Sequence, residues 1–471
     1  MSQSPHPEIG DIVAQARTGQ RSLGALTVAE RLKHLHALRK VIEARSEEII
    51  DRVQAETGKA RSDILMSEIF GALDSIVWLE ANAEKALGDE KVPTPMTLMG
   101  KKSRIWFQPR GVVLIIAPWN YPFFQAIVPI AQALVAGNAV IHKPSEHTPL
   151  RGLVESLLEE AAIAPHWVQV AYGDGTVGSQ VIAQRPDQIM FTGSGRTGRA
   201  IMRQAADLLI PVELELGGKD PMIVFEDVNL DRTVAGAAFG ALTAAGQSCT
   251  SVERLYVHES IHNQFVEKLV GHVSSLRLVD TPGSDADGDG DIGCMTTDFQ
   301  VETVAVHVLD AIERGAKVLT GADWDPREVI DGRPGLPGRP FRLVPPMVIT
   351  DFPEDALIAT EETFGPVIGV LRFSDEDEVV ERANASVYGL TASVWSADDA
   401  RAERVARRLR CGGVSINNVM ATEATAALPF GGVGESGMGR YKGVDGLRAF
   451  TNAQSVIIDS DGTKLEPNWY P

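Results

Sequence analysis

From Val112 onward the chain alternates short, continuous apolar runs with stretches of helical periodicity. That alternation restricts its fold more than any other feature. Val112–Ile116 is a strand-length run without a polar residue, and Ala139-Val140-Ile141-His142, Val168–Ala171 and Gln188-Ile189-Met190-Phe191 follow. Runs this short and this apolar suit strands covered on both faces, as in a parallel sheet. Ser145 to Ala162 and Arg199 to Leu209 read as helices between them, the right-handed crossovers that parallel strands need. The pattern resumes from about Lys219 and is broken longest by the Gly/Pro/Arg-rich stretch from Asp331 to Pro346. Upstream, Thr27-Val28-Ala29-Glu30 reads as a capping box. Leu32, Leu35, Leu38, Ile42, Ile49 and Val53 then continue as one long amphipathic helix, and Ser62 to Leu87 reads the same way. Arg104 to Gln108 reads as a strand. The expected class is α/β.

A chain of 471 residues is too long for one core, so two large domains are expected. A net charge of -19 argues against nucleic acid and against an anionic membrane surface, which both need a basic face. The longest apolar stretch, Ala126 to Ile141, is interrupted by Pro129, Gln132, Gly137 and Asn138, and reads as a buried helix and strand rather than a membrane span. The first residues are polar and lack a signal core. The three cysteines, Cys249, Cys294 and Cys411, are too scattered for a disulfide framework. They show no zinc spacing, so no metal is expected, and a reducing cytoplasm fits.

Cys249 stands in Gly246-Gln247-Ser248-Cys249-Thr250-Ser251. A lone cytosolic cysteine is commonly a core residue. Its small polar neighbours do not resemble a core strand, which favours a reactive thiol. Glu215-Leu216-Gly217-Gly218-Lys219 offers a carboxylate base and Pro118-Trp119-Asn120-Tyr121-Pro122 an amide donor. Together they supply what attack on a carbonyl requires: a thiolate, a proton acceptor and an N–H for the oxyanion. His258 is close enough in sequence to suggest a Cys–His dyad, but it ends a strand-like run and reads as a solvated terminus. Gly193-Ser194-Gly195-Arg196-Thr197-Gly198 matches GxGxxG between a strand and a helix, where glycines let a pyrophosphate approach a helix N-terminus. The ribose-binding acid such a motif calls for would be Glu213 or Glu215, in competition with Glu215 as a base. Lys143-Pro144-Ser145-Glu146 follows a strand: it is either a helix cap or a Lys/Glu pair for sugar hydroxyls. Asp285-Ala286-Asp287-Gly288-Asp289-Gly290 resembles half a calcium loop, but Thr296 stands where the bidentate acid belongs, so it reads as an acidic surface loop.

These motifs occur in one order, followed by Glu361-Glu362-Thr363-Phe364-Gly365-Pro366 and Pro429-Phe430-Gly431-Gly432. The chain resembles the aldehyde dehydrogenase superfamily, NAD(P)-dependent and non-acylating, over nearly its whole length. The resemblance implies two Rossmann-like parallel-sheet domains and a small oligomerisation flap. Residues 1–91 and 110–217 would bind the cofactor, 92–109 would begin the flap, 218–435 would form the catalytic domain, and 436–471 would carry an oligomerisation strand.

It further implies Cys249 as nucleophile and Asn120 with the Cys249 N–H as oxyanion hole. Glu215 becomes the base for the deacylating water, and Lys143 a residue of both the catalytic and the cofactor site. Trp119, Ser145, Glu146, Gly193, Ser194, Gly198, Leu216, Glu362 and Phe364 would line the cofactor site. Lys143 and Glu146 would take the adenosine ribose, which favours NAD and leaves NADP possible. Tyr121, Gln125, Ser248, Thr250, Ala424 and Phe430 align with tunnel positions. None is cationic, and Thr243 replaces the Arg of some semialdehyde enzymes, so a carboxylated aldehyde is disfavoured.

Two positions depart from the family pattern. Tyr441 replaces a proton-relaying Glu, and Cys294 replaces a proline. The expected activity is oxidation of a small-molecule aldehyde by a homodimer or homotetramer. The alternatives are a CoA-acylating semialdehyde dehydrogenase, for which Glu215 is out of place, a non-catalytic relative, and a cofactor-free thiol hydrolase.

Overall fold

The computed structural model describes residues 9–279 and 290–460, with 462 and 469. The acidic stretch Asp285 to Asp289 lies outside the described residues. The expected α/β class is the observed one, built on two mainly parallel sheets and a small antiparallel one. The first has six strands, in spatial order Gly437–Met438, Val212–Glu215, Gln188–Thr192, Val112–Ile116, Ala139–Lys143 and Val168–Val170. Only the two-residue edge strand runs antiparallel, and it pairs Gly437 with Glu215. The apolar runs fall in this sheet's interior because helices cover both faces. Val112–Ile116 and Ala139–Lys143 are buried at every position.

The second sheet has seven strands, in order Lys317–Val318, Met347–Thr350, Val367–Phe373, Val252–His258, Asp220–Val224, Thr391–Trp395 and Gly413–Ile416. All neighbours are parallel except the first pair. The third sheet joins Glu90–Val92, Lys101–Pro109 and Thr451–Asp459 in antiparallel register. The expected strand Arg104 to Gln108 lies inside its central member.

Three helix expectations need correction. The long helix after Thr27 does start on a capping box, with Thr27 and Glu30 bonding reciprocally. It breaks at Arg45, whose φ of -107° and ψ of 19° leave helical space, giving Val28–Ala44 and Ser46–Thr57. The helix expected over Ser62 to Leu87 contains a π-helical insert, Ile64–Phe70, before Gly71–Ala86. Such inserts concentrate at functional sites, and this one contributes to a cavity described below. The helix expected from Ser145 begins only at Leu153. Pro149 blocks helical continuation through the residue before it, and Leu150 and Gly152 both take positive φ.

His258 ends its strand as expected, and its ring accepts from the Ser260 N–H to cap the next helix. The stretch Ala126 to Ile141 is a fully buried helix, Phe124–Val135, and a buried strand. No helix among the described residues is long and apolar enough to cross a membrane.

Candidate active site

Cys249 follows a turn that is strained and closely held. Ala244 (φ 52°), Ala245 (φ 55°) and Gly246 (φ 70°) are left-handed in succession, a conformation that non-glycine residues hold only at a cost. Asp63 stabilises it by accepting from the Thr243 hydroxyl at 2.9 Å and the Ala244 N–H at 3.0 Å. Gln247 is buried, donates to the Ala244 carbonyl at 2.9 Å and accepts from the Thr296 N–H at 2.8 Å. Gly246 admits no side chain because a Cβ would collide with the Gly365 carbonyl. Asn120 donates its side-chain amide to the Gln247 carbonyl at 2.9 Å, which brings it to the cysteine loop.

Glu215 ends its strand beside this loop. It is 3% exposed and neither carboxylate oxygen has a hydrogen-bond partner. Burial pushes its carboxyl well above the usual range, and Glu213 and Glu423 push the same way. A buried, unpartnered carboxylate of high basicity suits proton transfer. Downstream of it, a Cβ on Gly217 would collide with the Glu362 carboxylate. Glu362 itself accepts from the Gly218 N–H at 3.0 Å, and burial raises its pKa to about 8. The thiol of Cys249 is also raised, by burial first and then by Glu423, Glu362, Asp220 and Glu215.

Lys219, buried after the glycines, pairs with Glu253. The Glu253 carboxylate also accepts from the Thr363 N–H at 2.8 Å and the Phe364 N–H at 3.0 Å. The loop carrying Glu362 and Phe364 is thereby tied to the segment carrying Glu215. The Phe364 ring then stands edge-on to Trp119 at 5.4 Å.

The cofactor-side residues gather at the strand ends of the six-stranded sheet. Lys143 Nζ donates to the Pro144 carbonyl at 2.9 Å and pairs with Glu146 at 3.2 Å. Ser145 accepts from the His147 N–H in a turn rather than capping a helix. Ser194 caps the helix Gly195–Leu208, accepting from Thr197, and Gly198 packs against Leu216. A helix N-terminus, a Lys/Glu pair and an aromatic slot at adjacent strand ends fit a dinucleotide. Lys143, expected at both sites, has its contacts with the Pro144 carbonyl and Glu146 of its own loop. The charged groups acting on Cys249 come from elsewhere.

A cavity of about 830 Å3 opens between the π-helical insert and the Leu230–Leu242 helix. Of the expected tunnel positions, Tyr121 and Ala424 line it. Gln125, Ser248, Thr250 and Phe430 are buried but do not line it. Thr250 donates to the Glu423 carboxylate at 2.6 Å and shares a hydroxyl contact with Ser248 at 3.1 Å. Phe430 packs edge-on against Tyr441 at 5.5 Å. The wall also holds Met66, Phe70, Phe124, Phe239, Met420, Glu423 and Lys442. Sequence reasoning missed all of these. Phe124 and Glu423 adjoin expected positions and Lys442 follows the singled-out Tyr441, but Met66, Phe70 and Phe239 carry no local signal. Lys442 adds to the wall a cation that the six expected positions lack. Cys294 is buried against Gly58, whose carbonyl accepts its N–H at 2.9 Å.

A dinucleotide-type sheet and a second parallel sheet meet around a half-buried cysteine, an arrangement that suits a nucleotide-dependent enzyme. Comparison with known proteins narrows this. The aldehyde dehydrogenase family model matches residues 1–456. A 4,4'-diapolycopene aldehyde oxidase of Methylomonas sp is 40% identical over 448 residues, 95% of this chain and 81% of that protein. A Mycobacterium ulcerans (strain Agy99) protein with the provisional name succinate-semialdehyde dehydrogenase (NADP+) 2 is 36% identical, over 94% of this chain and 83% of that one. The NAD+ complex of a Bacillus cereus aldehyde dehydrogenase superposes with a TM-score of 0.88 at 31% identity, covering 96% of this chain and 89% of the other. The chain belongs to the aldehyde dehydrogenase family, whose members oxidise aldehydes with NAD(P)+.

The carboxyls make stability depend on pH. Glu362 and Asp220 titrate at about 8 in the fold, against ordinary values of 4.5 and 3.8. Between those limits the folded state holds protons that the unfolded chain releases, so stability falls as pH rises. His142 and His307, lowered by burial to about 3 and about 4, act oppositely but only below their ordinary value of 6.5. We therefore expect the thermal midpoint to drop between about pH 7 and 8.5, and Glu362→Gln to flatten that slope. A midpoint that climbs over this range in the unmutated protein would contradict the assignment.

Proposed function

We propose that this protein oxidises bulky, largely apolar aldehydes to carboxylic acids without CoA, with Cys249 as nucleophile and Glu215 as base. The observation that carries this reading is the pairing of a strained, closely held Cys249 loop with a buried, unpartnered Glu215 carboxylate. The Cys249 thiolate adds to the carbonyl carbon, a C–S bond forms, and the π electrons move to oxygen. The Asn120 amide and the Cys249 N–H hold that oxyanion. Collapse of the oxyanion re-forms the C=O bond and breaks the C–H bond, leaving a Cys249 thioester; the hydride would be accepted by NAD(P)+, which Lys143, Glu146, Ser194, Glu362 and Phe364 would hold. Glu215 then takes a proton from water, whose oxygen attacks the acyl carbon. The C–S bond breaks, and the acid and thiolate are released.

The substrate class rests on the size of the cavity and on Met66, Phe70, Phe124, Phe239 and Met420 in its wall. The name of the Methylomonas relative supports it. NADH formation should appear with a panel of aldehydes without CoA, with kcat/KM rising with apolar chain length. Cys249→Ala should lose turnover by several orders of magnitude. Glu215→Gln should give a burst of NADH and then stall as an acyl-enzyme visible by intact mass. Steady turnover in either variant, or a requirement for CoA, would overturn the reading.

The cofactor preference we infer is NAD. Glu146 can accept from a ribose 2'-hydroxyl and repels a 2'-phosphate, whereas Lys143 beside it tolerates one. The preference should be on the order of tenfold in kcat/KM, and Glu146→Ser should shift use toward NADP. Equal kcat/KM with both cofactors before mutation would remove Glu146 from the ribose.

The assembly we infer is a homodimer or homotetramer, in the cytoplasm, where free thiols persist. The antiparallel sheet supports it: Ile457 and Ile458 are 50% and 37% exposed on its C-terminal strand, and an open strand edge invites pairing. Light scattering should return a multiple of the 50.7 kDa chain mass, and a monomer at micromolar concentration would refute it.

A further inference from the structure

Lys442 is a cation in the cavity wall that the reaction above does not use. It is 3% exposed and lines the cavity with Tyr121, Phe124 and Glu423. Its φ of 65° and ψ of 168° lie in a region that only glycine enters readily. The surrounding structure thus holds a strained backbone at this position. Nζ donates to the Glu423 carbonyl at 2.5 Å and lies 4.8 Å from the Phe124 ring centroid, 5.3 Å from Tyr441 and 5.5 Å from Phe430. The partner it bonds is a carbonyl, not a carboxylate, so direct pairing does not neutralise its charge.

An ammonium among rings is costly to bury, and burial draws Lys442 below the usual lysine range. The charges that offset this are Glu423, Cys249 and Glu215. Glu423, in the short helix Ala421–Ala424, is tied to the cysteine loop by the Thr250 hydroxyl at 2.6 Å, and Glu362, Asp220, Glu215 and the Tyr121 and Tyr441 hydroxyls also act on or with the thiol. Every one of those neighbours is acidic or becomes negative on ionising. A thiolate among them needs a counter-charge.

We propose that Lys442 is a positioning residue for the nucleophile, its ammonium being the counter-charge that lets Cys249 stand as a thiolate among these carboxylates. The thiol proton leaves to solvent and Lys442 stays protonated. The proposal rests on Cys249 being the nucleophile, and it is separable from that reading because thiol ionisation can be measured without turnover.

The test is the pH profile of iodoacetamide alkylation of Cys249 in the full-length protein, read by peptide mass. Lys442→Gln keeps a donor for the Glu423 carbonyl and removes only the charge. Its alkylation midpoint should rise by about one pH unit, with alkylation at pH 7 about tenfold slower. Lys442→Met should match it, and Lys442→Arg should restore the wild-type profile. Glu423→Gln, which removes an opposing charge, should move the midpoint down. Each variant is read after its NAD+ affinity shows that it is folded. Superimposable wild-type, Lys442→Gln and Lys442→Met profiles overturn the proposal. If neither neutral variant folds, an unchanged or raised Glu423→Gln midpoint does so. Turnover surviving in Cys249→Ala would instead sink the nucleophile reading, whatever the alkylation profile shows.

Discussion

The buried ion pair between Lys219 and Glu253 is the interaction on which the rest of the site depends. Both side chains are almost wholly removed from water, and taking two charges there is repaid only when the remaining hydrogen-bonding capacity is filled. It is filled by the Thr363 and Phe364 N–H groups and the Thr363 hydroxyl. Lys219 follows directly on the glycines after Glu215, and Glu253 lies in the strand next to Asp220–Val224. One desolvated pair therefore ties together the segment after Glu215, the strand that follows the Cys249 loop and the loop carrying Glu362. Breaking it from either side would leave an uncompensated buried charge.

Around that anchor the site gathers like charges. Glu215, Asp220, Glu362 and Glu423 all raise the thiol of Cys249, and burial raises three of the four themselves. A chain selected for stability alone would not crowd four acids about a cysteine. Burial, with Glu213 and Glu423 pushing the same way, raises the Glu215 carboxyl well above the usual range. The left-handed turn at Ala244–Gly246 and the backbone of Lys442 belong with it. Each is a local cost that the surrounding packing covers.

Two surfaces of the molecule differ in chemistry. On one side the strand ends of the six-stranded sheet present a helix N-terminus and the Lys143–Glu146 pair, suited to phosphate and ribose. On the other, the π-helical insert and the Leu230–Leu242 helix supply Met66, Phe70 and Phe239 to a cavity whose wall also holds Glu423 and Lys442.

Local pattern determined the strands and the motifs. Val112–Ile116 and Ala139–Lys143 could be read from composition, because residues apolar at every position have few other ways to be buried. The capping box at Thr27 and the polar flanks of Cys249 could be read because their physics spans a few residues. Tertiary structure alone decided what depends on distant partners. Arg45 breaks a helix whose periodicity runs through it. Gly437–Met438 closes the sheet beside Glu215 from the far end of the chain. Glu253 gives no local sign that it holds Thr363. Lys442 reads as an ordinary surface lysine until its strained backbone and the rings of Phe124, Phe430 and Tyr441 enclose it. Burial of a side chain is a property of which surfaces meet, and neither periodicity nor residue type contains that information.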